Sequence, residues 1–558
     1  MTGPDPGRVN RPAPARGGPR HVRRPTLVAG LALVCLFVAG GASPSPALPS
    51  LDPALVGART VGDRFYPTLG NGGYDVRHYD LDLTWESPSA EHPDGRMVGT
   101  ARLDMVTTQD LAELSLDLAR ATTDVTSVRV DGVSVDATRD GLGRKLVVPL
   151  GDARPSGTAL DIEVEWTAAP VGIHRLGEGL SLLGTGVDRA RESRGFLPDG
   201  DGGAFLASQP NGAHTLFPAN DHPSDTATFT VRITAPPGML GVATGERVLE
   251  VADADGSTTS TWQSGAPVAT HVLALGVGGS ALVEGMLADG TRTRSVVPAA
   301  LAPIAGYRLD DLGPAVAWLE GELGLPFPFG TIGVQLVPPG ATDAVLEGQT
   351  LVLADAGMLD PRISACRWRA LLVHEVAHQW FGDSVALTDW GEKWLSEGHA
   401  TWYEHRWAAD AGCDPLGLDG RMTAIERQAQ AVRDAGGPPA RPRTPADAYD
   451  GTIYDQGALA LEALRREVGD ETFRDIEATW LERYAGGSAS TDQYVALASE
   501  VAGRDLGPFL EAWLWGDEVP ALPADPDATP LPDDPDADAS AAAILRPEGT
   551  SRPDGSEG

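Results

Sequence analysis

The chain has 558 residues, 42% of them hydrophobic and 22% charged, which is ordinary globular material too long for one core, so two or three domains are expected. A formal net charge of −35 excludes nucleic acid as a partner and describes a soluble surface that repels polyanions. Two lysines stand against 41 arginines, a bias that fits a GC-rich bacterial genome.

Taken in chain order, residues 1–47 read as a secretory signal peptide. Arg20, Arg23 and Arg24 precede an uncharged apolar run from Thr26 to Gly41, shorter than the roughly 20 residues that span a bilayer. Cleavage after Ala42 or Ala47 would leave a secreted, extracellular protein with no stable membrane span, and an uncleaved anchor is the alternative. Residues 58–278 alternate with a period of two and predict an N-terminal antiparallel β domain, a sandwich or saddle. Tyr79, Leu81, Leu83 and Trp85 interleave with Asp80, Asp82 and Thr84; Leu160, Ile162, Val164 and Trp166 repeat the pattern, as do Phe229, Val231 and Ile233. Asp131-Gly132 between two valines is a hairpin signal.

Residues 279–522 change to the helical period and predict a second domain of mixed α and β structure, mainly helical. Helices are expected over 310–323, 421–435, 455–468, 472–484 and 491–502, with a strand at Thr331–Val337. Residues 523–558 are dominated by Pro, Asp, Ala and Gly and predict a disordered acidic tail. Cys366 and Cys413 have two open outcomes, a disulfide in an oxidising compartment or two buried thiols.

The helical domain contains His374-Glu375-Val376-Ala377-His378 and, after eighteen intervening residues, Glu397. On a helix the two histidines lie one above the other on the same face and reach one ion, while Glu375 stands beside it. His, His and Glu is a standard ligand set for one catalytic Zn2+ that keeps an open position for water, and Glu375 is then the base. Glu404, two turns beyond Glu397, is a candidate partner for a ligand histidine. His78, His174, His214, His222, His271, His399 and His405 lack metal-set spacing and read as structural.

The run His374-Glu-Val-Ala-His-Gln-Trp-Phe-Gly-Asp383, with Trp390 and Trp394 before Glu397, resembles the gluzincin aminopeptidase family of aminopeptidase N type over about residues 66 to 518. The resemblance implies a β domain followed by a thermolysin-like zinc-peptidase domain, and peptide substrates with a free N-terminus. It implies that Glu347, in Ala344-Val-Leu-Glu-Gly-Gln349, grips the substrate's α-amine where the family carries Gly-Ala-Met-Glu-Asn. It implies that Tyr454, in Tyr454-Asp-Gln-Gly457, stabilises the oxyanion, with Gln456 in place of the family's basic residue and Tyr449 as the other candidate. The stretch from Ser208 to Ala213 resembles the loop lining the first substrate pocket. Gln209 matches a lining residue, and Asn211 stands where many relatives carry a second amine-binding Glu.

The expected function is a zinc metallo-aminopeptidase that removes N-terminal residues. The rivals are an endopeptidase or an epoxide hydrolase of the same family and, from another class, a non-catalytic binding or scaffold protein.

Overall fold

The computed structural model describes residues 52–170, 194–342 and 345–525. The signal peptide, His174 and the tail beyond Asp525 lie outside the described residues. The β half is built on a nine-stranded sheet whose order runs Glu246–Ala252, Thr258–Gln263, Thr226–Ala235, Tyr74–Glu86, Arg96–Thr107, Ala159–Ala168, Thr123–Val130 and Val133–Ser134, with Val268–Ala269 off this path. Its pairs are antiparallel apart from Tyr74–Glu86 with Thr226–Ala235, which run parallel with His78 opposite Thr228. The period-two pattern is realised: Tyr79, Leu81, Leu83 and Trp85 are buried, and so are Ile162, Val164, Trp166, Phe229 and Val231. Burying alternate apolar side chains on one face is what fixes the register, since a slip of one residue would turn all of them outward. Asp131 and Gly132 take φ of 49° and 79°, the twist of a two-residue hairpin turn.

A three-stranded sheet of Leu111–Asp117, Lys145–Arg154 and Thr138–Arg139 closes the sandwich, and Leu114, Leu116 and Val148 join the core of the larger sheet. This second sheet carries a buried ion pair. The Lys145 ammonium donates to Asp117 Oδ1 at 2.5 Å and to Gly70 O at 2.8 Å, while Asp117 Oδ2 accepts from Asn71.

The helical half begins with a sheet of Ser280–Met286, Arg292–Pro298, Val334–Val337 and Val352–Asp355, parallel after its first hairpin. Its helices are α1 (Ala302–Leu309), α2 (Leu312–Leu323), α3 (Ala365–Ala377), α4 (Trp394–Asp410), α5 (Gly417–Gly436), α6 (Tyr454–Val468), α7 (Asp470–Tyr484), α8 (Thr491–Ala502) and α9 (Gly507–Leu514). One apolar core runs from Leu319 and Val334 through Trp368, Trp380 and Trp402 to Trp480 and Trp513. Cys366 and Cys413 form a disulfide that ties the first turn of α3 to the chain just past α4.

The two halves are joined by the segment before the first strand. Asp63 Oδ2 accepts from Trp390 N at 2.8 Å, and Arg64 donates to Pro442 O at 3.1 Å. At the far end, Asp525 pairs with Arg465 at 2.6 Å. Among the described residues no helix is long and apolar enough to cross a membrane.

Candidate metal centre

Helix α3 starts where the Ser364 hydroxyl accepts from Arg367 N, and it delivers His374, Glu375 and His378 at its buried end. Helix α4 packs against it and brings Glu397 in its first turn. The Nε2 atoms of His374 and His378 each lie 3.3 Å from Glu397 Oε2, and the three donor atoms fall within 4.8 Å of one another.

Both imidazoles are oriented from behind. His374 Nδ1 donates to Glu404 Oε2 at 3.1 Å, and His378 Nδ1 donates to Phe381 O at 3.1 Å, with Ser396 Oγ 2.9 Å from the same nitrogen. With both Nδ1 atoms so engaged, the Nε2 lone pairs point toward Glu397, the arrangement a metal ligand needs. Two imidazole nitrogens and one carboxylate oxygen, converging in a buried site, fit a zinc ion.

Glu397 divides its two oxygens. Oε2 faces the histidines, and Oε1 accepts a hydrogen bond from Lys393. Against the burial that would raise it, Lys393 and then His378 hold the Glu397 carboxyl well below its ordinary range. Glu375 goes the other way. Burial pushes it up to about 7, opposed by His374 and His378 and reinforced by Glu347 and Glu397. Its Oε2 has no hydrogen-bond partner among the described residues, as befits a base waiting for a water or a substrate.

Tyr454 opens α6 with its ring stacked 6.1 Å from that of His374. Burial and the charges of Glu397, Glu347 and Glu375 hold its hydroxyl well above its ordinary value, so it is a donor at neutral pH. Its approach depends on two glycines where α4 crosses α6. A Cβ on Gly457 would stand 2.8 Å from the Gly398 Cα, so no side chain fits between the two backbones. Tyr449 faces elsewhere: its ring lies under Lys393 at 4.2 Å and its hydroxyl is 3.5 Å from that of Tyr66.

Glu347 follows Leu346, whose amide donates to Leu353 O at 2.9 Å and so fastens this stretch to the sheet edge. Its Oε1 accepts from Gln209 Nε2 of the β half, which brings those two candidates together. Asn211 is fully buried, yet neither its Oδ1 nor its Nδ2 has a hydrogen-bond partner among the described residues, so it makes no hydrogen bond to Glu347.

Three other described histidines make packing or pairing contacts. His399 stacks on Phe381 at 4.3 Å with its Nε2 3.0 Å from Glu477, and His214 pairs with Asp221 at 2.6 Å. Burial drives His271 down to about 3, so it is neutral. Lys393, Ser396 and Gln379 also meet this centre, beyond the candidate residues that the sequence offers. For Lys393 the signal was its place four residues before Glu397, one helical turn away.

The model of the peptidase family M1 domain matches residues 307–513. Aminopeptidase N of Streptomyces lividans is 24% identical over 445 residues, 73% of this chain and 50% of that protein. Aminopeptidase M1-C of Oryza sativa subsp. japonica is 23% identical over 312 residues, 54% of this chain and 35% of that protein. The chain thus spans between a third and a half of the length of these curated relatives. The crystal structure of the M1 zinc metallopeptidase from Deinococcus radiodurans superposes with a TM-score of 0.68 at 28% identity, covering 83% of this chain and 99% of that one.

Proposed function

We propose that this chain is a member of peptidase family M1 and a zinc-dependent aminopeptidase that removes single residues from peptides with a free N-terminus. The observation that carries the reading is the convergence of His374, His378 and Glu397 beside an unpartnered Glu375, with Glu347 held nearby by Gln209. A zinc ion held by the triad would polarise a peptide carbonyl and acidify a water.

The chain's own groups supply the rest. Glu375 Oε2 takes the proton from the attacking water and delivers it to the leaving amine, a shuttle suited to a carboxyl poised near 7. The Tyr454 hydroxyl donates to the carbonyl oxygen as negative charge develops there. Glu347 pairs with the substrate's α-ammonium, and an ammonium held there would restrict cleavage to the first peptide bond. A mutant of the Deinococcus radiodurans enzyme has been solved bound to a Tyr-Ser-Ala substrate, which agrees with a short peptide as the substrate here. The Cys366–Cys413 disulfide favours an extracellular site of action.

The test is hydrolysis of a panel of aminoacyl amides beside the same compounds N-acetylated, with and without a zinc chelator and with Glu375→Gln as control. Chelator-sensitive cleavage of the free amines alone is expected. Cleavage of the blocked set would mean an endopeptidase, and cleavage of neither would move the reading to epoxide chemistry or to a silent binding role.

A further inference from the structure

We propose that Gln379 is a positioning residue that tethers the Glu347 loop to the end of the metal-binding helix and so sets the one-residue register of cleavage, an inference that rests on the aminopeptidase reading. Gln379 directly follows His378 and is fully buried. Its Oε1 accepts from Thr350 N at 2.8 Å, and its Nε2 donates to Gly348 O at 3.4 Å. One side-chain amide thus closes on two backbone groups of the loop that begins at Glu347.

The loop needs holding. Thr350 has a φ of 63°, a left-handed conformation that a β-branched residue adopts only where its surroundings impose it. Its hydroxyl accepts from Gly245 N at 2.9 Å and from Arg294 Nη2 at 3.2 Å. Gln349 N donates to Val272 O at 2.8 Å, and Gln349 Nε2 donates to Pro267 O at 2.9 Å and to Asp383 O, past the end of α3, at 3.3 Å. These bonds secure the loop to the β half, the adjoining sheet and the chain past α3. Gln379 contributes the two bonds made from directly beside the proposed ligand His378, just past the end of α3. Of the ties to this region, Gln379 is the one adjacent to a proposed ligand, and through it the carboxylate that meets the ammonium is set relative to the atoms that meet the scissile carbonyl. A misplacement of about 1 Å at such a site costs on the order of a hundredfold in rate.

Gln379→Met keeps the length and removes both hydrogen bonds. Two readouts are taken, each with zinc content measured. The first is the ratio of kcat/KM for an aminoacyl amide over its des-amino counterpart, which should fall about tenfold or more, with the loss in KM. The second is hydrogen exchange in peptides covering residues 346–353, which should quicken about tenfold while α3 stays protected. Gln379→Glu keeps the acceptor for Thr350 N and should recover part of both; it also stands in should the Met variant fail to hold zinc. An unchanged ratio with full zinc overturns the register role, and unchanged exchange overturns the tether. A wild-type enzyme without preference for the free amine would instead remove the aminopeptidase reading and the register claim with it, while the exchange experiment still decides the tether.

Discussion

Lys393 and Glu397 form a buried ion pair one helical turn apart, in which the ammonium takes Oε1 while Oε2 faces both candidate metal-binding histidines. The side chains are 1% and 3% exposed, so neither charge is screened by water. Removing one partner of such a pair leaves an uncompensated charge at a cost of roughly 3 kcal/mol or more. A bound cation would offset that charge, and its absence would not. Lys393→Met is therefore expected to lower the thermal midpoint of the metal-stripped protein much more than that of the zinc-loaded protein. Equal losses in the two forms would show that Lys393 does not act on the metal position.

Glu375→Gln removes the proton shuttle and keeps the shape. Turnover should fall by about 10² to 10⁴, with one zinc per chain still found by elemental analysis. A variant that retained turnover would return the base to another group.

Tyr454 and Tyr449 are separated by function in this geometry. Tyr454→Phe should lower kcat by about 10² to 10³ with KM little changed, because the lost donor acts on developing charge. Tyr449→Phe, whose hydroxyl faces Tyr66, should leave kcat within a few-fold of the parent. Steady-state kinetics on one aminoacyl amide distinguishes them, and the reverse ranking would reassign the oxyanion donor.

The disulfide spans 47 residues of sequence and closes a loop that includes the whole ligand set. Restricting the unfolded chain in this way contributes about 4 kcal/mol in the loop-entropy account. The double variant Cys366→Ser, Cys413→Ser should lose about that much unfolding free energy, read from its denaturant curve, and a reducing buffer should do the same to the parent.

Asp225 gives stability a pH dependence. Burial raises its carboxyl from 3.8 to about 7, with Asn220 donating to one oxygen and opposing the rise. A carboxyl raised on folding contributes stability that is present below pH 3.8 and is lost as pH rises through about 7. Asp225→Asn, which needs no charge, should therefore raise the thermal midpoint at pH 8 and leave it nearly unchanged at pH 4. A gain of equal size at both pH values would place the effect in packing rather than ionisation.

Much of this was legible in the residues because the information is local. Tyr79 to Trp85 alternate, and their burial follows; His374 and His378 are four apart on a helix, and the spacing to Glu397 is a fixed step in the chain. The helices expected over 421–435, 455–468, 472–484 and 491–502 stand at 417–436, 454–468, 470–484 and 491–502. The expected helix over 310–323 is preceded by a second one, α1, which begins at Ala302 with Pro303 in its first turn. What could not be read is contact at a distance. Gln209 meets Glu347 from 138 residues away, Asp63 meets Trp390 from 327, and the strand at Tyr74 lies parallel to one that begins at Thr226. No periodicity records such meetings, since they depend on how the sheets are wound. The pairing of Cys366 with Cys413 is of the same kind, decided by where the ends of α3 and α4 come to lie.

Lys145 and Lys393 are the chain's two lysines, and both side chains are 4% exposed or less, one in each half. An amine-acylating reagent therefore meets no accessible lysine on the folded protein. Each modification waits for its own half to open, so timed acylation followed by mass analysis of two peptides reads the opening of the β half and of the helical half separately. Two lysines, one buried in each half, leave this protein with one covalent reporter per domain.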